Sequence, residues 1–329
     1  MLTLTKHGLY CAAGDIHIDP WRPVERALIT HAHSDHARPG SRAYLCSSDG
    51  VGVLRVRLGR DARITGLGYG ETTRLNEVNV SLHPAGHVLG SAQIRLEHRG
   101  EVWVVSGDYK TCVDPTCAAF EPVRCHTFVT ESTFGLPVYR WPEPEAVFAE
   151  INDWWRSNQQ AGRASVLYGY SLGKAQRLLA GVDAALGPIF ATSTVRDFLP
   201  AYEAAGVKLP PVQAATKEVL QAAGARALVI GPPAAEASAL LDTPGDVSTA
   251  FASGWMLVRG TRRRRGAERG FALSDHADWP GLLDAIGATG AGRVLVTHGA
   301  TASLVRWLNE NGRQAEALAA RFIGEAEAL

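Results

Sequence analysis

The sequence lacks the features that would place it outside ordinary globular proteins. Its 33 Lys and Arg residues balance 33 Asp and Glu residues, so no global positive field is available to attract nucleic acid. No run of about 18 apolar residues occurs, and residues 1–15 lack the basic flank, apolar core and cleavage site of a secretion signal. We therefore expect a soluble, cytoplasmic protein.

Cysteine and lysine are both scarce. The five cysteines are odd in number and form no CxxC pair, which indicates neither a disulfide framework nor a zinc ribbon and fits free thiols in a reducing compartment. Five of the 33 basic residues are lysines, which leaves 33 − 5 = 28 arginines. Arginine binds phosphate through a bidentate fork, although a skewed genome composition gives the same excess.

Short apolar, β-branched runs that end in polar or glycine-bearing turns predict buried strands. They lie at residues 26–30, 78–83, 102–106, 127–130 and 294–297. The middle of the chain alternates predicted helices with further strands, which indicates a separate α/β layer. Its helices are predicted at 143–159 and 172–180, and its strands at 165–168, 188–191, 227–230 and 248–252. Two more helices are predicted near the end of the sequence, at 279–289 and 301–311.

The most informative segment is the loop HAHSDH at residues 31–36. Its side chains His31, His33, Asp35 and His36 are difficult to explain by packing. Neutral imidazole and carboxylate ligands suit zinc, manganese or iron, and the lack of a thiolate argues against a structural zinc site. The loop therefore predicts metal binding, with a solvated polar loop as the alternative.

Three further candidate ligands follow predicted strands, where rigid backbone can orient them: His87, Asp108 and His298. One consistent assignment places His31, His33, His87 and Asp108 on one ion, and Asp35, His36, Asp108 and His298 on a second. Asp108 then bridges two ions about 3.5 to 4 Å apart, which share a hydroxide as nucleophile and suit in-line attack on a phosphodiester. Asp19 is a candidate to orient a ligand imidazole, with a simple turn aspartate as the alternative.

The HxHxDH pattern resembles the metallo-β-lactamase superfamily, and nearly the whole chain resembles its β-CASP branch of nucleic-acid nucleases. Glu131 in TEST, His276 in SDHAD and His298 in VTHG are similar to that branch's motifs. The resemblance implies an α/β fold, in which a metallo-β-lactamase αββα sandwich (residues 1–137 and 263–329) carries an inserted α/β β-CASP domain (138–262). It also implies catalytic roles for Asp35, Glu131 and His276.

Glu131 is expected to hydrogen-bond His276 and raise its pKa, so that His276 serves as general acid for the leaving oxygen. A structural core histidine is the alternative for His276.

Two other segments resemble phosphate-binding elements of the same branch. SLGKAQ at 171–176 resembles its GRxQ helix start with Lys174 in place of arginine, and ASGWM at 252–256 resembles its Ser-Gly turn. Ser171, Lys174, Ser253 and Gly254 are therefore candidate phosphate ligands. Residues 259–269 hold six arginines against one acid, which predicts binding of backbone phosphates, with a solvated charged surface as the alternative. The four consecutive members of this run are Arg262, Arg263, Arg264 and Arg265.

The segments SGWMLVRG, GFALSDHADW and VTHG resemble the bacterial ligase-associated DNA exonucleases, the mRNA 3′-end processing factor-like group. This resemblance implies a DNA exonuclease with two divalent ions, Zn²⁺ or Mn²⁺, and 5′-phosphate products. It further implies attack from a 5′ end, DNA repair beside an ATP-dependent DNA ligase and a large helicase, and a monomeric state.

An RNA-processing nuclease is the alternative, because Artemis-type DNA enzymes carry an aliphatic residue where this sequence has His298. Two other classes fit less well. A lactone or thioester hydrolase needs neither the middle layer nor the arginine run, and a non-catalytic nucleic-acid-binding subunit is expected to have lost ligands.

Overall fold

The computed structural model describes residues 1–233, 246–258 and 268–318. The chain forms two compact units, one built from Met1–Arg140 together with the segment that starts at His276, and the other from Trp141–Asp275. The second unit is therefore an insertion in the first. The predicted return to the first unit at residue 263 is 13 residues earlier than the observed one at 276, because residues 269–271 still belong to the sheet of the second unit.

The first sheet of the first unit has six strands within the described residues, in the order β1-β2-β3-β4-β5-β6. Neighbouring strands from β1 to β3 are antiparallel, and those from β3 to β6 are parallel. The strands are β1 Leu2–Thr5, β2 Gly8–Cys11, β3 Ile16–Ile18, β4 Arg26–Leu28, β5 Ala43–Ser47 and β6 Ile64–Leu67.

The second sheet has seven strands in the described part of the chain, in the order β19-β18-β11-β10-β9-β8-β7. Neighbouring strands from β7 to β10 are antiparallel, and β10, β11, β18 and β19 run parallel. The strands are β7 Thr72–Leu75, β8 Val78–Pro84, β9 Ala92–His98, β10 Glu101–Val105, β11 Thr127–Glu131, β18 Arg293–Thr297 and β19 Gln314–Ala317.

Side-chain alternation along these strands gives the second sheet two apolar faces. Val105 and Val129 pack against residues of the first sheet such as Ile18 in one buried cluster. Val104 and Phe128 point the other way, into a cluster formed with two helices. These helices are α7 (Trp279–Thr289) and α8 (Thr301–Glu310), and α1 (Val51–Leu58) follows β5 beside the first sheet. The predicted αββα sandwich is therefore confirmed.

Local sequence determines where helix α7 begins and ends. The Asp278 carboxylate accepts a hydrogen bond from the Gly281 N–H at 2.9 Å, and Pro280 occupies the first turn. The helix ends at Gly290, whose φ of 64° is the left-handed conformation that glycine adopts readily. This helix immediately follows the segment that carries His276.

The second unit contains a wholly parallel sheet, with six strands among the residues described, in the order β14-β13-β15-β12-β16-β17. One apolar cluster packs α2 and α3 on one face, and another packs α6 on the other, as expected for a parallel sheet. The elements are α2 Pro144–Gln160, β12 Ala164–Tyr168, α3 Lys174–Gly181, β13 Ile189–Ala191, α4 Ser193–Arg196, α5 Leu199–Ala204, β14 Val212–Ala214, α6 Lys217–Ala223, β15 Leu228–Gly231, β16 Val247–Ala252 and β17 Arg269–Phe271.

Among the helices of the described residues, none combines the length and apolar character needed to cross a bilayer.

Candidate metal centre

The candidate ligands come from loops at one edge of the sandwich. Asp108 and His298 follow β10 and β18, and Glu131 ends β11, which lies between those two strands. Because these three strands are parallel, their carboxyl ends meet at the same edge of the sheet. The loop 31–36 follows β4 of the facing sheet, and His87 follows β8.

One cluster brings together His31, His33, His87 and Asp108. Nδ1 of His33 lies 3.1 Å from Nε2 of His31 and 3.1 Å from Nε2 of His87. Oδ2 of Asp108 lies 3.5 Å from Nε2 of His31. Ligand atoms bound at about 2.0–2.2 Å to one tetrahedral ion are separated by about 3.2–3.6 Å, so these atoms are close to the spacing that one ion requires.

A second cluster contains Asp35, His36 and His298. Nε2 of His36 lies 3.7 Å from Oδ2 of Asp35, and the His36 and His298 rings stack with centroids 5.3 Å apart. The same His36 nitrogen is 3.5 Å from Oδ2 of Asp108. Asp108 is therefore within reach of both clusters, which is the position of a bridging carboxylate.

The donor set fits divalent metal ions. It consists of imidazole nitrogens and carboxylate oxygens without thiolate, which suits zinc or manganese. Oδ1 of Asp108 is buried and has no hydrogen-bond partner within the described part of the chain, which is costly for a carboxylate unless a cation neutralises it. The residues present thus match the chemistry of two divalent ions, with Asp108 shared.

Buried hydrogen bonds orient the second cluster. The Nδ1–H of His36 donates to Oδ2 of Asp19 at 2.8 Å, which turns Nε2 toward Asp108. Asp19 also accepts from the Thr30 N–H at 2.8 Å and from its hydroxyl at 2.6 Å. Gly107, just before Asp108, must lack a side chain, because a Cβ there would lie 2.6 Å from Thr30. Asp19 therefore has a role beyond that of a turn residue.

Burial and neighbouring charges shift the pKa values of His36 and Asp108 in the protein without cations. Burial alone lowers the pKa of His36, but the carboxylates of Asp108, Asp35 and Asp19 outweigh it and raise that pKa to about 10. Burial raises the pKa of the Asp108 carboxyl, and Glu131 adds to this, while His36 acts in the opposite direction. Burial and neighbouring imidazoles lower the pKa values of His31 and His298. Without cations, the site therefore holds a proton on His36.

Glu131 and His276 form a buried pair next to the first cluster. Nδ1 of His276 lies 2.9 Å from each carboxylate oxygen of Glu131, and the Tyr109 N–H donates to Oε1 at 2.8 Å. The His276 ring centroid is 4.6 Å from that of His87. The predicted Glu131–His276 hydrogen bond is thus present in the structure, and it fixes the ring beside a candidate metal ligand.

Three of the candidate phosphate ligands, Lys174, Ser253 and Gly254, are buried. Lys174 is fully buried, and its ammonium donates to the Leu273 carbonyl at 2.8 Å and pairs with Asp275 at 2.9 Å. The charge of Lys174 is therefore paired inside the second unit, and its role as a phosphate ligand stays a prediction. Ser253 and Gly254 are also buried, with the Ser253 hydroxyl accepting from the Trp255 N–H at 3.3 Å.

The other phosphate candidates are in two parts of the chain. The Ser171 hydroxyl donates to Thr194 Oγ1 at 3.1 Å, in a partly exposed position. Arg262, Arg263, Arg264 and Arg265 lie outside the described residues.

Three interactions at the site were not foreseen from the sequence. The Thr30 hydroxyl lies 3.1 Å from Nδ1 of His31, and the Arg57 Nε–H donates to the Ala32 carbonyl inside the metal loop at 3.0 Å. Lys110 and Asp114 form a buried ion pair just after Asp108. The sequence signal for this ion pair is Lys110 itself, a lysine two residues after the candidate ligand Asp108. Its acidic partner is not identifiable from sequence spacing, because the segment is not helical.

Several known proteins are similar in sequence to this chain. No family model matches the chain. A probable DNA ligase from Opitutus terrae is 32% identical over 315 residues, which is 95% of this chain and 30% of that protein. Endoribonuclease YSH1 from Gibberella zeae is 27% identical over 50% of this chain and 19% of that protein. An RNase J-like protein from Methanocaldococcus jannaschii is 23% identical over 48% of this chain and 43% of that protein.

The chain thus spans less than half the length of each of these relatives. Among solved structures, a protein of unknown function from Enterococcus faecalis V583 aligns with a TM-score of 0.57, at 13% identity, over 91% of this chain and 80% of that one. At this identity the likeness concerns the fold alone. The sandwich with its inserted unit and the similarity to proteins named as nucleases are consistent with the β-CASP branch of the metallo-β-lactamase superfamily.

Proposed function

We propose that this protein is a metal-dependent nuclease that hydrolyses phosphodiester bonds in DNA. The observation that carries the proposal is the pair of His/Asp clusters that meet at Asp108, with Oδ2 of this residue 3.5 Å from both His31 Nε2 and His36 Nε2. Two metal-ion sites that share one ligand are an arrangement that enzymes use for in-line phosphoryl displacement.

His31, His33, His87 and Asp108 would hold one cation, and Asp35, His36, His298 and Asp108 the other. When bound, the two cations supply Lewis-acid activation of water and of the phosphate oxygens. Zn²⁺ is the first choice for this nitrogen-rich set and Mn²⁺ the second. Asp19 keeps His36 in the orientation that directs Nε2 to the centre.

His276 is proposed as the general acid. Glu131 binds its Nδ1, so the proton for the leaving oxygen is held at Nε2 on the opposite side of the ring. Hydrogen bonding to a carboxylate favours the protonated imidazolium before the bond breaks. A group positioned in this way contributes about 10²- to 10⁴-fold to the rate.

DNA is proposed as the polymer because a segment similar to almost this whole chain is part of a protein named as a probable DNA ligase. That relative joins a segment similar to this chain and the remainder of a protein named as a DNA ligase in one polypeptide. This arrangement favours exonucleolytic trimming of DNA ends before ligation, and therefore a role in repair. The proposal includes a cytoplasmic monomer that acts beside an ATP-dependent ligase and a large helicase. RNA is the second candidate, since two other relatives are named as ribonucleases.

The test is digestion of single-stranded DNA and RNA, each labelled at either the 5′ or the 3′ end, by protein loaded with Zn²⁺ or Mn²⁺. We expect stepwise shortening of DNA from the 5′ end, with 5′-phosphorylated products. Asp35→Ala and His36→Ala should abolish cleavage, whereas Asp15→Asn, a change in a surface ion pair, should retain it.

Cleavage of RNA alone would replace DNA by the second candidate. Hydrolysis of a generic lactone or thioester without cleavage of either polymer would refute the nuclease itself. Activity that persists in the two ligand variants would reveal a contaminating enzyme.

A further inference from the structure

Two exposed valines lie on the loops that follow Asp108 and Glu131. Among the described residues, the large apolar side chains classed as exposed are Leu4, Val56, Val113 and Val138. Val113 and Val138 are the most exposed of these, at 76% and 58%. Isolated surface apolar residues are common, so their exposure gains meaning only from where the two side chains lie.

Both valines are on loops that leave the same sheet edge as the candidate ligands. Val113 follows β10 and Asp108, and Val138 follows the neighbouring strand β11 and Glu131. Adjacent strands are about 4.8 Å apart, so the two loops start side by side.

The two loops also contact the same helix end. The Trp279 N–H donates to the Tyr139 carbonyl at 3.1 Å, and a Cβ on Gly281 would lie 2.5 Å from the Thr111 hydroxyl. Both loops are thus packed on the first turn of α7, three to five residues after His276.

The loop that carries Val113 is held by a buried ion pair. Lys110 and Asp114 are 1% and 2% exposed and contact each other directly, and Asp114 also accepts from the Thr116 N–H at 2.9 Å and its hydroxyl at 2.6 Å. The Lys110 N–H donates to the Ala85 carbonyl at 3.0 Å, in the loop that leads to His87. Burying two charges costs free energy that packed apolar residues would not cost, so the pair is better explained by a need for a defined loop shape.

The loop that carries Val138 is fixed in another way. Tyr139 is buried, its N–H donates to the Leu136 carbonyl at 3.0 Å, and its ring packs on Phe134 with centroids 4.8 Å apart. The neighbours of Tyr139 on either side, Val138 and Arg140, are both exposed. An apolar side chain and a guanidinium are thereby presented together.

The charge of the two loops suits a polyanion. Residues 109–120 contain one acid, Asp114, which is neutralised by Lys110, and residues 132–142 contain none. Fixed loops with apolar tips and an accessible arginine match a nucleic-acid strand, whose sugars and bases offer apolar surface between phosphates.

We propose that Val113 and Val138 contact the sugars and bases of the single strand whose phosphodiester lies at the dinuclear centre. These contacts set the affinity of the protein for the nucleic-acid strand. This inference rests on the proposed nuclease function. Neither side chain acts in the chemistry, so both affect the binding of nucleotides flanking the bond that is cleaved.

The experiment compares two substrates, an end-labelled oligonucleotide and bis(p-nitrophenyl) phosphate, which is a phosphodiester without flanking nucleotides. The variants are Val113→Ser, Val138→Ser and the double variant, with Leu4→Ser on β1 as the matched control for loss of an exposed apolar side chain. Each serine should raise KM for the oligonucleotide about three- to tenfold with kcat unchanged, and the double variant should show roughly the product. Hydrolysis of bis(p-nitrophenyl) phosphate and the melting temperature should equal those of Leu4→Ser.

An oligonucleotide KM in the double variant equal to that of the Leu4→Ser control would overturn the proposal. Equal losses on both substrates would overturn it as well, since that result indicates damage to the centre. A wild-type protein that hydrolyses bis(p-nitrophenyl) phosphate but cleaves no oligonucleotide would refute the nuclease function itself, which is a distinct result.

Discussion

Cation binding at the second cluster should release protons, because a protonated imidazole cannot coordinate an ion. The pKa of His36 in the metal-free protein is about 10. Removing its proton at pH 7.5 costs about 3 kcal/mol, since each pH unit below a pKa corresponds to about 1.4 kcal/mol. The apparent affinity for Zn²⁺ or Mn²⁺ at this cluster should therefore rise about tenfold per pH unit between about pH 7 and 9. The raised pKa of Asp108 should make the dependence steeper at lower pH.

The assay is titration calorimetry of metal-free protein in pairs of buffers that differ in ionisation enthalpy. About one proton per two ions should appear at pH 8, and more at lower pH. Asp19→Asn removes the carboxylate that binds Nδ1 of His36, so it should lower the pKa of His36 and reduce the proton release. Asp15→Asn is the matched control, because Asp15 shares the positive φ of Asp19 but lies in an exposed ion pair. A metal affinity that is constant with pH, without proton release, would refute the reasoning.

The same pKa determines how the stability of the metal-free protein changes with pH. His36 has a folded pKa above its ordinary value of 6.5, so its stabilising contribution is complete below about pH 6.5 and is lost as the pH rises through about 10. The melting temperature of the metal-free protein should fall over this window, and that of the loaded protein should fall less.

Three other predictions concern separate parts of the molecule. Glu131→Gln should lower kcat for phosphodiester cleavage by about 10²-fold and His276→Ala by about 10²- to 10⁴-fold, with both ions retained. Steady-state kinetics together with metal analysis checks this prediction, and loss of an ion from either variant would contradict it. Trp155→Ala removes a fully buried side chain from the core of the second unit and should cost about 3–5 kcal/mol in urea unfolding; a loss below about 1 kcal/mol would be inconsistent with that burial. Cys112 is exposed and should react first with a thiol reagent at pH 8, whereas burial raises the pKa of Cys46 to about 12 and should delay its reaction until unfolding, as peptide mapping of the labelled thiols would show.

Strong local patterns made much of the fold predictable. Residues 102–106 and 294–297 are continuous apolar runs, and they form strands β10 and β18 in the covered sheet. The bounds of α7 were predictable because Pro280 marks the first turn and an N-cap aspartate precedes it. The candidate ligands were recognisable for the same reason, since each polar residue follows a strand and parallel strands end at one edge.

Other elements depend on tertiary contacts that no local pattern encodes. All four residues of strand β1 and all four of strand β6 are exposed or half-buried, so pairing with neighbouring strands defines these elements. Strand β17 has three residues and exists through its ladder to β16, a pairing that no local pattern around the predicted boundary at 262/263 encodes. The burial of Lys174 depends on Asp275, about a hundred residues later, and residue type gives no indication of that pairing.

The insertion also affects how the protein is made. His276 bonds Glu131 across 145 residues of sequence, and β18, which carries His298, pairs with β11 only after the whole second unit has been synthesised. Non-local pairing of this kind is slow, and domains form as units while a chain leaves the ribosome. The inserted unit can fold first, whereas the metal centre must wait for His276 and His298. A nascent chain therefore lacks a complete candidate centre from the synthesis of its HAHSDH loop until His298 has been added and β18 has paired with β11.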